Sequence, residues 1–207
     1  MEIYQTEDEQ VDAIKAWWEK NGKSTLLAIV IALAAVFGWN NWNDHQKSLS
    51  ESASTRYQMM LSQVVKDKNG AVAMGESLKQ EFKGSHYSVL AALMIAKIEV
   101  ERNQLEIADA ELRWAAAQSK NPIFVDLANS RLARVLLAQG RADEALETLS
   151  KIKSESYAGL ISEIEGDIYI TQGDREKARA AYQKALTGYA ETPEKSELVQ
   201  TKLDDLN

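Results

Sequence analysis

Hydrophobic and polar positions alternate in two different ways along this chain. Between Lys23 and Asp44 no charge appears for twenty residues, and the stretch 26–37 is apolar throughout. Twenty helical residues at about 1.5 Å each span roughly 30 Å, the thickness of a bilayer's hydrocarbon core. Trp17 and Trp18 precede this run, and Trp39 and Trp42 close it. Indole rings favour the headgroup boundary, so the pattern predicts a membrane-spanning helix over 24–43. Two other readings compete. The strictly apolar part is short enough for a buried core helix. A cleaved signal peptide is the other, with Ala32-Leu33-Ala34 as its cleavage site. Against cleavage, the preceding head is long and acidic, and the apolar run continues past the site.

The head, residues 1–23, opens with a T-x-x-E capping box at Thr6 and Glu9. That motif satisfies two orphan helix N–H groups, and it predicts a helix over 7–20 that stops at Asn21-Gly22. Val11, Ile14, Trp17 and Trp18 fall on one face. Such a face can lie on a membrane surface or meet a partner, and it also fits a plain spacer.

Beyond the anchor, apolar residues recur at helical spacing at Leu49, Ala53, Tyr57, Met60 and Val64. The anchor helix is therefore expected to run on to about residue 66, with an exposed collar at 43–48. A second helix is predicted over 71–82, ending at Lys83-Gly84 and pairing with the first.

From there the pattern repeats. Gly166, Tyr169, Gly173, Ala178, Tyr182 and Ala185 match the tetratricopeptide scheme of two helices joined by a tight turn. Small Ala178 and Ala185 let the helices approach, and the tyrosines fill the space between them. Gly173 stops one helix and Asp174 caps the next. Gly140, Ala145 and Leu149 stand 33 residues before Gly173, Ala178 and Tyr182, behind Leu132, Ala133 and Leu136. Ala108 stands 37 residues before Ala145, with Ala96, Leu112 and Ala115 around it and the loop at Asn121-Pro122 absorbing the difference. A simple helical bundle would show part of this periodicity, but three units in register favour an α-solenoid. A capping helix is expected over 194–206, after Pro193, with Leu198 and Leu203 facing inward.

Composition narrows the chemistry. Two prolines and a wealth of helix formers predict an all-α chain. A net charge of −7 argues against nucleic acid. There is no cysteine, so disulfides, thiolate metal sites and cysteine nucleophiles are excluded. His45 and His86 are far apart, and no Walker loop, G-x-S-x-G or G-x-G-x-x-G occurs. The expectation is a chain without enzyme activity, cofactor or metal.

A binding surface remains. Repeat arrays present the first helix of each pair along a concave face. Lys97, Arg134 and Asp167 share one register position in the three units, with Glu101, Ser130 and Glu163 beside them. These six form the candidate partner-binding groove, although mixed charges of this kind also occur on surfaces that only face solvent.

The opening MEIYQTEDEQVDAIKAWWEKNGK, the anchor's end GWNNWNDHQ, and the later LRWAAAQ, LANSRLARVLLAQGRADEALETLSKI and GDIYITQGDREKARAAYQKAL together resemble the YfgM family. These are ancillary subunits of the SecYEG translocon with a tetratricopeptide-like domain. The resemblance implies a cytoplasmic head (1–23), a span of the inner membrane bilayer (24–43) and a periplasmic repeat domain (44–207). It implies association with SecYEG and with PpiD, a membrane-anchored periplasmic chaperone, in the handover of exported proteins. It also implies a link to stress signalling, which leaves a second expectation: a membrane tether that restrains a cytoplasmic response regulator through its head. Charge alone orients the anchor weakly, with Lys15, Lys20 and Lys23 before it against Lys47 and Arg56 after it.

Overall fold

The computed structural model describes residues 7–206, with side chains from residue 10 onward. Among these residues there is no strand. The chain divides into two compact units, Met1–Glu51 and Ser52–Asn207. The first helix, α1 (Glu7–Val64), contributes to both.

In the first unit α1 carries its apolar residues outward. Leu26, Ile31 and Leu33 are exposed, and Phe37 is 71% exposed. This is the one helix among the described residues that is long and apolar enough to cross a membrane. A helix apolar all round and unburied by protein matches lipid as its solvent. The predicted stop at Asn21-Gly22 does not occur, because α1 runs through it. Asn21 turns its side-chain amide back to the Trp17 carbonyl at 3.1 Å. Ser24 and Thr25 hydroxyls donate to the Asn21 carbonyl at 2.7 and 3.0 Å. The Trp18 ring covers Gly22. A mid-helix glycine costs only about 1 kcal/mol, and an apolar span must keep every backbone bond internal, so the helix continues. The Thr6–Glu9 capping box lies outside the described residues. Residues 43–48 are exposed, as expected for a collar.

The second unit is a stack of helix pairs. The end of α1 packs on α2 (Lys68–Glu81) and α3 (His86–Glu101) through Met60, Leu78, Ile95 and Ile98. Its helix α2 begins three residues before the predicted start. Asp67, whose carboxylate accepts from the Asn69 N–H at 2.9 Å, is the N-cap. Asn69-Gly70 thus reads as a breaker but sits inside the first turn.

Three pairs follow: α3 with α4 (Leu105–Gln118), α5 (Pro122–Ala138) with α6 (Ala142–Leu149), and α7 (Ala158–Thr171) with α8 (Arg175–Gly188). They close in the same way. Asn103, Gly140 and Gly173 take left-handed backbone, with φ of 60°, 75° and 77°. The next N–H in each case reaches back five residues: Gln104 to Glu99, Arg141 to Leu136 and Asp174 to Tyr169, at 2.8, 2.8 and 2.9 Å. This is the Schellman closure, which satisfies carbonyls that a helix end leaves open. Only the two glycines are visible as turn signals in the sequence. Asn103 makes the same turn because its short amide side chain tolerates that conformation.

A continuous core links α3 to α7 through Ala96, Leu112, Leu132, Leu136, Leu149 and Ile164. Buried Asp126 holds the segment after α6, accepting from the backbone N–H groups of Lys153 and Ser154 at 3.3 and 3.0 Å. The final pair packs tightest. Gly159 and Gly188 bring the backbones of α7 and α8 together, and Gly166 leaves the space that the Tyr182 ring fills.

The last helix, α9 (Pro193–Asp204), caps the stack, with Pro193 as its first residue. Leu203 packs inward as expected, but Leu198 does not: it is 55% exposed, while Val199 is fully buried. Helix periodicity locates a face only to within about one position, and Val199 is the residue that joins the core cluster of Tyr182 and Tyr189.

Candidate partner-binding groove

The first helices of successive pairs set the register of the six candidate residues, and the structure sorts them into three groups. Lys97 and Glu101 of α3 and Arg134 of α5 line one cleft. Ser130 is buried, and its hydroxyl donates to the Leu127 carbonyl within its own helix at 2.9 Å. Glu163 and Asp167 of α7 are engaged by the capping helix.

That engagement centres on Lys202 of α9. Its ammonium donates to Glu163 at 3.0 Å and to both oxygens of Asp167 at 2.8 and 2.9 Å. The Tyr189 hydroxyl donates to Glu163 at 2.9 Å, and the Tyr182 hydroxyl to Asp167 at 2.8 Å. Arg134 adds its guanidinium 3.5 Å from Glu163. Burial pushes the Glu163 carboxyl up, but the hydrogen bonds from Lys202 and Tyr189 and the charges of Lys202 and Arg134 outweigh it, leaving a net value below the usual 4.5. Burial, then the facing carboxylates, raise both tyrosines above their ordinary range. The acidic end of the predicted groove is therefore an internal lock that fastens α9.

The other end is open. A cleft of about 450 Å³ lies between α3, α4 and α5. Ala96, Leu112 and Val135 form its buried floor. Small Ala96 and Ala138 leave the space that larger side chains would fill. Lys97, Glu101, Arg131 and Arg134 stand around it. Glu101 is paired with Lys68 at 2.7 Å, and that hydrogen bond holds its carboxyl below 4.5. Arg131 escapes sequence inspection, although it sits one turn before Arg134 on the same face. Lys202 carries no local signal at all, since only the docking of α9 brings it to Glu163.

His45 is exposed, and His86 sits at the start of α3 with its ring 6.0 Å from that of Phe124. Among the described residues no three His, Cys, Asp or Glu side chains gather as metal ligands would.

A family model described as a tetratricopeptide repeat-like domain matches residues 15–207. The protein of Escherichia coli (strain K12) named ancillary SecYEG translocon subunit is 34% identical over 207 residues, covering all of both chains. Its namesake in Aggregatibacter actinomycetemcomitans is 36% identical over 97% of each chain. That of Haemophilus influenzae is 30% identical over 86% of this chain and 88% of its own. Among solved structures, BtubC (BKLC) from P. vanneervenii superposes with a TM-score of 0.50 at 18% identity, covering 77% of this chain and 65% of that one. This last likeness is one of fold.

Proposed function

The chain belongs to the tetratricopeptide repeat-like family of ancillary SecYEG translocon subunits, and from that membership we propose that it is a single-pass inner-membrane adaptor of the Sec channel. In this reading residues 1–23 face the cytoplasm, 24–43 cross the membrane, and 44–207 lie in the periplasm. The repeat domain binds a PpiD-like periplasmic chaperone and helps pass exported proteins to it. No step of this work makes or breaks a covalent bond. The observation that carries the reading is that similarity to the Escherichia coli subunit runs end to end, through the segments of the apolar span and of the repeat stack alike.

Topology is testable because the sequence has no cysteine. Lys23→Cys and Lys151→Cys, the latter on an exposed residue after α6, provide one reporter on each side. With the outer membrane permeabilised, an impermeant maleimide is expected to label Lys151→Cys and not Lys23→Cys. Labelling of Lys151→Cys only after the inner membrane is broken contradicts the reading.

A second reading is favoured by one observation: Val11, Ile14, Trp17 and Trp18 are all exposed on the head. In it the head restrains a cytoplasmic response regulator, and the repeats serve to sense or anchor. If removing residues 2–20 changes neither stress signalling nor partner recovery, this second reading fails.

A further inference from the structure

We propose that the cleft between α3, α4 and α5 docks an acidic, apolar segment of a partner protein, with an aliphatic side chain on its floor and carboxylates on Lys97 and Arg131. This rests on the adaptor reading and specifies its ligand chemistry. Three cations and one carboxylate surround the opening. Glu101 is neutralised by Lys68, and Arg134 faces Glu163. The charge of Lys97 also acts on Glu101, but among the described residues neither Lys97 nor Arg131 has a carboxylate within 4.0 Å. In a chain of net charge −7, two uncovered cations beside an apolar floor are complementary to an acidic ligand. Val100 and Ala138 expose apolar surface at the mouth of the cleft, and a purely polar ligand would gain nothing by covering it. About 450 Å³ lies within the roughly 300–1,000 Å³ of ligand pockets and holds side chains rather than a folded surface.

The neighbouring interval of the stack shows the contrast. At the positions of Arg131 and Arg134, one unit on, stand Ile164 and Asp167. Ile164 is fully buried and Asp167 is held by Lys202. There the chain's own capping helix supplies the counter-charge, whereas at the cleft Lys97 and Arg131 border the opening.

The test uses the full-length protein in detergent micelles and a fluorescein-labelled decapeptide of alternating Glu and Leu, read by fluorescence anisotropy. Saturable binding is expected, several-fold weaker when Gln replaces Glu or Ser replaces Leu. Lys97→Gln and Arg131→Gln are each expected to weaken binding about two- to fivefold, the range for exposed ion pairs. Lys184→Gln, exposed on α8, leaves it unchanged. Absence of saturable binding, equal binding of the Gln peptide, or wild-type affinity in the Lys97→Gln/Arg131→Gln double variant overturns the proposal. So does displacement of the peptide by phosphatidylglycerol vesicles through the same two residues, which makes the occupant a membrane surface. Recovery of SecY with the wild-type chain is scored separately. A cleft that binds no acidic peptide in a chain that still recovers SecY refutes the cleft and leaves the adaptor reading standing; loss of SecY with intact peptide binding does the reverse.

Discussion

Lys202 shows how much one side chain decides here. It answers two carboxylates from the neighbouring helix pair, and Tyr182 and Tyr189 complete their hydrogen bonding. Removing it leaves buried Glu163 short of its main partner. Lys202→Ala is expected to cost about 2 kcal/mol, as charged hydrogen bonds do, measured by urea unfolding of the repeat unit. Glu163 also sets a pH dependence. Its folded value lies below the usual 4.5. The folded state therefore resists protonation, and the stability gained is full above about pH 4.5 and fades as pH falls through the folded value. The difference in Tm between wild type and Glu163→Gln is expected to shrink as the pH is lowered below that point. A difference that grows there contradicts the assignment. Tight packing makes a further prediction: Gly166→Ala places a methyl group against the Tyr182 ring and is expected to destabilise by about 1–3 kcal/mol, with thermal unfolding as the check.

At the level of elements, the three Schellman turns bind each first helix to its second. Gly140→Ala forces an ordinary residue into left-handed backbone and is expected to cost about 1 kcal/mol. Asn103→Gly, at the equivalent turn, removes that strain and is expected to be neutral or slightly stabilising, both read from denaturant midpoints. The same turns show what the sequence reveals and what it hides. Gly140 and Gly173 announce themselves, and their 33-residue spacing gives away the repeat. Asn103 does not, because asparagine is equally at home in helix caps and loops. The early start of α2 depends on a single carboxylate, Asp67, folding over its own helix end. The inward residue of α9 is Val199 and not Leu198 because packing, not propensity, chooses between adjacent positions. A line of register-matched charges is legible in the sequence, but which of them stay open depends on where α9 docks. No local pattern encodes Lys202 reaching Glu163 across 39 residues.

For the molecule as a whole, two kinds of surface are joined in one chain. Helix α1 in the first unit exposes an apolar surface to its surroundings, and the second unit buries its apolar residues between helix pairs. A bilayer satisfies the first and self-stacking the second. This division is what an adaptor needs: residence in the membrane beside a channel, and a folded domain free to meet partners. Affinity purification of the full-length chain from membranes in a mild detergent, with SecY detected in the eluate, tests this account most directly. The account predicts that SecY is recovered with the wild-type chain and lost when an unrelated leader releases residues 52–207 without the anchor. A wild-type chain that reaches the inner membrane folded yet recovers no SecY contradicts it.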